Sequence, residues 1–268
     1  MRRGTDRIGA SISPPAEIVG APFAGPEKID RVGDDGRLRL IDDEALERSS
    51  TVANCLMNRE RRLPGYNREL GLDILAELRS RRRPGTAVRW LDLCCGTANA
   101  LLEASADFGA GIEIVGVDLV DFFSGASRPP GLALITSSIA AWEPQGVFDL
   151  ITCVHGLHYV GDKLATIRRA ASWLAEDGLF VANFDARSVR LADGTPAGPR
   201  LPAALRAAGL NYDPRNRRIR CEGARTIELP YAYAGSDDQA GPNYTGQPAV
   251  NSHYDYQASA RTRHTPHQ

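Results

Sequence analysis

The sequence predicts an α/β protein, built as a doubly wound, mainly parallel, seven-stranded sheet with a C-terminal antiparallel hairpin. Three observations carry that expectation. Short apolar runs alternate with helical patterns between about residues 85 and 235, the signature of strands joined by crossover helices. Two of the runs, residues 114–117 and 150–154, are apolar without a break, as in strands covered on both faces. Finally, Glu222-Gly223 separates the last two strand candidates as a hairpin turn would.

In chain order, residues 1–40 read as an irregular N-terminal arm rich in Gly, Pro and charge, with one short strand at 38–41. Residues 41–84 read as a helical cap, with amphipathic patterns over 43–57 and 67–80 separated by the break Leu63-Pro64-Gly65. The sheet domain spans 85–235. Its strands are expected at 87–93, 112–118, 132–136, 148–154, 179–184, 217–221 and 226–233. Helices are expected at 98–108, 163–174 (closed by Gly178) and 202–208 (ended by Gly209). Residues 236–268 carry few aliphatics and read as an irregular tail, either disordered or folded back over the acceptor side through the aromatic, amide and imidazole groups from Gly241 to Tyr254.

Composition excludes several classes. At 268 residues the chain is long enough to bury a core without disulfide or metal staples. Hydrophobic residues at 43% exclude disorder throughout, and a net charge of −1 argues against a generally basic nucleic-acid binder. Five cysteines without regular spacing support neither a secreted disulfide framework nor a zinc site, so no metal is expected. No apolar run reaches the roughly 18 residues of a membrane helix, and Pro14, Pro15 and Glu17 interrupt any leader-like run, so the expectation is a cytoplasmic protein. Of the 32 basic residues only Lys28 and Lys163 are lysine. The run Arg79, Arg81, Arg82 and Arg83 is either a solvated helix end or a contact for an acidic substrate or RNA.

Two motifs carry chemistry. The strand ending in Leu91-Asp92-Leu93 enters a small-residue turn, Cys94-Cys95-Gly96-Thr97-Ala98, and then a helix, which lets backbone approach a ligand closely. It is neither a G-x-G-x-x-G nor a P-loop fingerprint. The next strand, Ile114-Val115-Gly116-Val117-Asp118, ends in an acid placed to accept both hydroxyls of a ribose, or else to cap a turn.

With these motifs in order, the sequence resembles the class I S-adenosylmethionine-dependent methyltransferases over about residues 65–235. The loop 91–98 matches the family's first loop, with Cys94 and Ala98 in place of its outer glycines. Asp118 matches the acid of the second strand. Ser137-Ser138 stands where the family has a Gly-Asp pair whose acid contacts the adenine amine. The segment Phe148 to Val154, followed by His155-Gly156-Leu157-His158-Tyr159-Val160, matches the fourth strand and its loop. The resemblance implies the Rossmann-like methyltransferase fold and S-adenosyl-L-methionine as cofactor. It implies cofactor contacts from Asp92, Leu93, Cys94 and Gly96 in the first loop, Asp118 and Leu119 after the second strand, Ser138 and Ile139 after the third, and Val154 after the fourth. His155 and His158 are the candidate catalytic bases or acceptor-orienting groups; backbone contact and capping are their alternatives. Tyr66, Asn67, Arg68, Tyr159, Asn183 and Asp185 are candidates to line the acceptor side. Cys153 and Cys221 read as core thiols.

The function expected is methyl transfer to an oxygen or nitrogen of a small-molecule acceptor, with no membrane partner; composition disfavours nucleic acid, which stays open through the tRNA alternative. Oligomeric state stays open, a homodimer included. The alternatives are a tRNA or protein acceptor, a nicotinamide-dependent oxidoreductase, and a catalytically silent cofactor-binding partner subunit.

Overall fold

Leu63-Pro64-Gly65, expected as a break, instead opens a helix. In the computed structural model the N-terminal cap consists of α1 (Asp43–Glu47), α2 (Ser50–Ala53), α3 (Leu63–Leu70) and α4 (Ile74–Ser80). Proline tolerates the first helical turn, where its missing N–H has no partner to lose. Gly71 in the left-handed region (φ 64°) then divides α3 from α4, so the expected helix 67–80 is two helices. The structure describes residues 38–53, 60–125 and 127–257. The arm up to residue 37, residues 54–59 (which include the end of the expected helix 43–57), residue 126 and the tail beyond 257 lie outside the described residues. All the described residues fall in one unit, residues 32–268.

The sheet is seven-stranded, as expected. β1 (Val88–Leu93), β2 (Ile112–Asp118) and β3 (Leu132–Thr136) step outward in parallel on one side; β4 (Phe148–Cys153) then crosses to the other side of β1, and β5 (Leu174–Asn183) pairs parallel beyond it. After β6 (Val189–Leu191) leaves the sheet, β7 (Asn211–Asp213) and β8 (Arg218–Glu222) close it as an antiparallel pair, in the order β3-β2-β1-β4-β5-β8-β7. The strand order reverses between β1 and β4. That is where a crevice opens beyond the carboxyl ends of the strands.

The hairpin keeps the expected strand 217–221 as β8 but pairs it with β7, which precedes it, instead of with 226–233. Its turn is residues 214–217, where the Asp213 carboxylate accepts from the amides of Arg215 (2.9 Å) and Asn216 (3.1 Å). Residues 226–230 form no strand. The chain runs on into β9 (Tyr231–Asp237), which joins β10 (Asn251–Tyr256) and β6 in a separate three-stranded sheet. The stretch expected as an irregular tail therefore holds a strand. Tyr254 on β10 is buried (1% exposed) against Tyr231 and Tyr233, so aromatic burial supplies what aliphatics do not.

The two faces of the central sheet bury two cores. Val88, Trp90, Ile112, Ile114, Leu150 and Val181 pack under α3, α4 and α5 (Asn99–Phe108). Leu91, Leu93, Ile151, Cys153, Phe180 and Ala182 pack under α6 (Lys163–Ser172) and α7 (Arg200–Ala207). This is the two-residue alternation of strands covered on both sides. Gly116 shows how closely α5 approaches: a Cβ there would lie 2.7 Å from Leu101 and 2.9 Å from the Cys95 sulfur. Among the described residues no helix is long and apolar enough to cross a membrane.

Candidate active site

A cavity of about 250 Å³ opens beyond the carboxyl ends of β1, β2 and β4. Cys94 and Gly96 line it from the first loop, Asp118 and Leu119 from the end of β2, Ile139 from the loop after β3, and Val154, His155 and Tyr159 from the loop after β4. These eight positions, separated in sequence, are brought together because each follows a neighbouring strand.

The first loop adopts the backbone of a glycine loop without the glycines. Cys94 (φ 57°) and Ala98 (φ 61°) sit in the left-handed region, each at a cost of roughly 1–2 kcal/mol. Their φ values match those the glycines they replace would adopt freely. His155 (φ 59°) is in the same region, and its amide donates to Asn183 Oδ1 at 3.2 Å. Clustered backbone strain of this kind is held in place by the surrounding fold and collects at functional loops. Gly156 must be glycine for a different reason: a Cβ would meet Cys94 Cβ at 2.4 Å and the Cys153 sulfur at 2.7 Å.

The cavity wall is rich in acceptors. Asp118 accepts from the amides of Gly96 (2.8 Å) and Val120 (3.2 Å), which fixes its carboxylate across the first loop. Asp43 and Glu47 enter from α1, and Asp162 from the start of α6. Arg169, the one guanidinium among the described residues of the wall, is spent on the loop after β3. It donates to the carbonyls of Ile139 (2.6 Å), Ala140 (2.8 Å) and Trp142 and to Glu143 (3.0 Å). Such a cavity suits a cationic ligand rich in donors. S-adenosylmethionine, with its sulfonium, ammonium, ribose hydroxyls and adenine amine, has that character, whereas a dinucleotide's diphosphate finds no uncommitted cation among the described residues of this wall.

The remaining expected site residues lie elsewhere. Asp92 shares a strand face with Trp90, so alternation turns it under the loop and away from the cavity. Its buried carboxylate accepts from Tyr66 OH (2.7 Å) and Thr152 Oγ1, and Thr152 in turn accepts from the Trp90 indole (2.9 Å). Burial pushes Asp92 up to about 7 despite both hydrogen bonds. Leu93 is core. Asn67 caps α4, its Oδ1 accepting from the amide of Ile74 (3.1 Å), and Arg68 is exposed beside Glu69. Asp185 accepts from the amide of Arg187 (3.1 Å) and lies 4.0 Å from Arg217 Nε. Ser138 Oγ donates to Glu47 and accepts from the amide of Ala140 (3.1 Å). The arginine run is used within the fold: Arg81 pairs with Glu77, Arg83 with Asp149 and Asp177, and Arg79 and Arg82 lie over Phe108.

His155 and His158 are both buried, with ring centroids 5.4 Å apart. The His155 Nε2–H donates to Glu69 Oε2 at 3.1 Å, because an ionised carboxylate can only accept. Glu69 is itself held by Arg61 (3.2 Å). Burial lowers His155 below its ordinary value and lowers His158 to about 3, so both rings are neutral at pH 7. Sequence reasoning missed Glu47, Glu69 and Arg169. No local spacing marks them, since each reaches the site from an element far away in the chain.

A family model described as a methyltransferase domain matches residues 57–228. No curated protein matches the chain. Among solved structures, similar chains include the N-methyltransferase NodS from Bradyrhizobium japonicum WM9 with S-adenosyl-L-homocysteine, 16% identical over 68% of this chain and 98% of that one, at a TM-score of 0.39. CalS10, an amino pentose methyltransferase from Micromonospora echinaspora, is 25% identical over 44% of this chain and 50% of its own, at a TM-score of 0.35. The plantazolicin methyltransferase BpumL is 14% identical over 48% and 50%, at a TM-score of 0.39. The match thus spans about half the length of BpumL and of CalS10. With the family match covering well over half of its length, the chain belongs to the methyltransferase-domain family, in the class I S-adenosylmethionine-dependent fold that its loop and strand motifs resemble.

Proposed function

We propose that the chain binds S-adenosylmethionine in this cavity and transfers its methyl group to an oxygen or nitrogen of a small-molecule acceptor. The observation that carries the reading is the largely apolar cavity at the strand-order reversal, edged by Asp43, Glu47, Asp118 and Asp162, with a buried, carboxylate-held imidazole on its rim. When bound, the cofactor supplies a methyl group already activated on a sulfonium. The protein's work is then alignment, exclusion of water and, where the acceptor carries a proton, its removal.

Each role falls to a residue of the chain. Asp118, anchored by two backbone amides at the end of β2, is the acceptor for ribose hydroxyls. Cys94 and Gly96 let the backbone approach the ligand. His155, with its Nε2–H committed to Glu69, keeps the Nδ1 lone pair to receive the acceptor's proton. Within the run at 79–83, Arg81 and Arg83 are paired with carboxylates of the fold, which supports a small acceptor over RNA.

Calorimetry tests the reading. S-adenosylhomocysteine is expected to bind the full chain and NADH is not. Binding of NADH without S-adenosylhomocysteine overturns it.

A further inference from the structure

The C-terminal segment seats a phenol at the edge of the cavity. The Tyr244 ring meets His158 edge-on (centroids 5.4 Å apart, 78°) and lies 6.3 Å from His155, while the Arg217 guanidinium stands 4.1 Å from its centroid. Two imidazoles and a guanidinium therefore build an aromatic slot, and it touches the cofactor cavity through His155, which lines both. Tyr244 is nonetheless 38% exposed, so the slot is open on its outer side.

The imidazoles are 2% and 1% exposed, and Nδ1 of His155 and Nε2 of His158 have no hydrogen-bond partner. Each orphaned buried nitrogen leaves its loss of water uncompensated. Two side by side, next to a ligand cavity, mark a place where a ligand's polar group is received.

The segment is also built to move. Tyr244 sits on a turn closed by Asn243 N–H to Gln247 O (2.8 Å), between Gly241 (φ 90°) and Gly246 (φ 79°), neither of which would meet any atom within 4 Å even with a Cβ. Beyond it the chain is tied down: the Val250 amide donates to His158 O (2.9 Å), and Lys163 holds Val250 O and Ser252. Displacement is thus confined to the turn.

We propose that this slot is the acceptor subsite, that it takes a planar phenolic acceptor, and that Tyr244 is an internal stand-in that leaves when the acceptor enters. The proposal rests on the methyltransferase reading and names its substrate class. The two imidazole rings and the guanidinium over the ring position select an aromatic ring. The phenol's proton passes to His155 Nδ1, and the resulting imidazolium is balanced by Glu69. The phenol oxygen forms its bond to the methyl carbon as the carbon–sulfur bond breaks, and that bond's electron pair returns to sulfur, turning sulfonium into thioether.

The test uses the full chain saturated with S-adenosylhomocysteine and p-cresol, the tyrosine side chain itself, as probe. Tyr244→Ala is expected to bind p-cresol about tenfold more tightly than the wild type, with shifts of the His155 and His158 ring-proton resonances. Tyr244→Phe is expected to match the wild type, and toluene to bind Tyr244→Ala more weakly than p-cresol. Adding Arg217→Met to Tyr244→Ala is expected to weaken p-cresol again. Equal p-cresol affinity in wild type and Tyr244→Ala, or binding that leaves the histidine resonances unmoved, overturns the proposal while S-adenosylhomocysteine binding leaves the methyltransferase reading standing. Failure to bind S-adenosylhomocysteine at all overturns that reading instead.

Discussion

Lys163→Met is expected to change how stability depends on pH. Lys163 is 1% exposed, and its ammonium donates to Val160 O (2.8 Å), Val250 O (2.9 Å) and Ser252 Oγ (2.8 Å), all neutral acceptors. Burial pushes it from 10.5 down to about 7. Between these values the unfolded chain keeps a proton that the folded chain releases. Its contribution to stability is therefore fully present above the unfolded value and is lost as pH falls through about 7. One pKa unit is worth ~1.36 kcal/mol, so wild-type stability minus that of Lys163→Met should grow by about 2–3 kcal/mol between roughly pH 6 and pH 9. The buried tyrosines and cysteines titrate in both proteins and cancel in the difference. Urea unfolding at a series of pH values measures it. A difference that stays flat across this range refutes the reasoning. Lys163→Gln is the second variant should methionine fail to fold. The position also explains why one of only two lysines stands here in an arginine-rich chain: arginine keeps its charge and its five donors, and this site has three acceptors and little water.

Asp118→Ala should weaken S-adenosylhomocysteine binding by about 1–3 kcal/mol in calorimetry; unchanged affinity in a folded variant contradicts the ribose assignment. Glu47→Ala should weaken it by about 1 kcal/mol, and more than Ser138→Ala does, if the carboxylate rather than the hydroxyl meets the ligand; the reverse order returns the role to Ser138. Glu69→Gln should lower the His155 titration midpoint further in a ring-proton NMR titration, because the carboxylate favours the charged ring; an unchanged midpoint shows that the 3.1 Å contact does not orient it. Gly156→Ala should destabilise by about 1–3 kcal/mol in thermal unfolding, since its Cβ would enter Cys94 and Cys153; an unchanged Tm means the first loop yields without cost.

The local record of the chain was enough for the frame. Strand pattern and end residues located β1 to β4, the left-handed loop at 94–98 and the acid of β2, because period and turn chemistry act between near neighbours. Other features depend on which surfaces meet. Alternation along β1 turned Asp92 into the core, where Tyr66 and Thr152 hold it. A proline expected to break a helix started α3 instead. The last strand candidate left the main sheet for β6 and β10, since its tyrosines bury against one another. Glu47 reached the cavity wall from α1 and Glu69 reached His155 from α3, and within the stretch marked from Gly241 to Tyr254 it is the Tyr244 ring that meets His158. A buried carboxylate or imidazole takes whatever partner packing brings within about 3 Å, and sequence separation does not enter that geometry. The sequence by itself thus determined the sheet, the loop and the family, while the tertiary structure alone decided which distant side chains complete the cavity and close its rim.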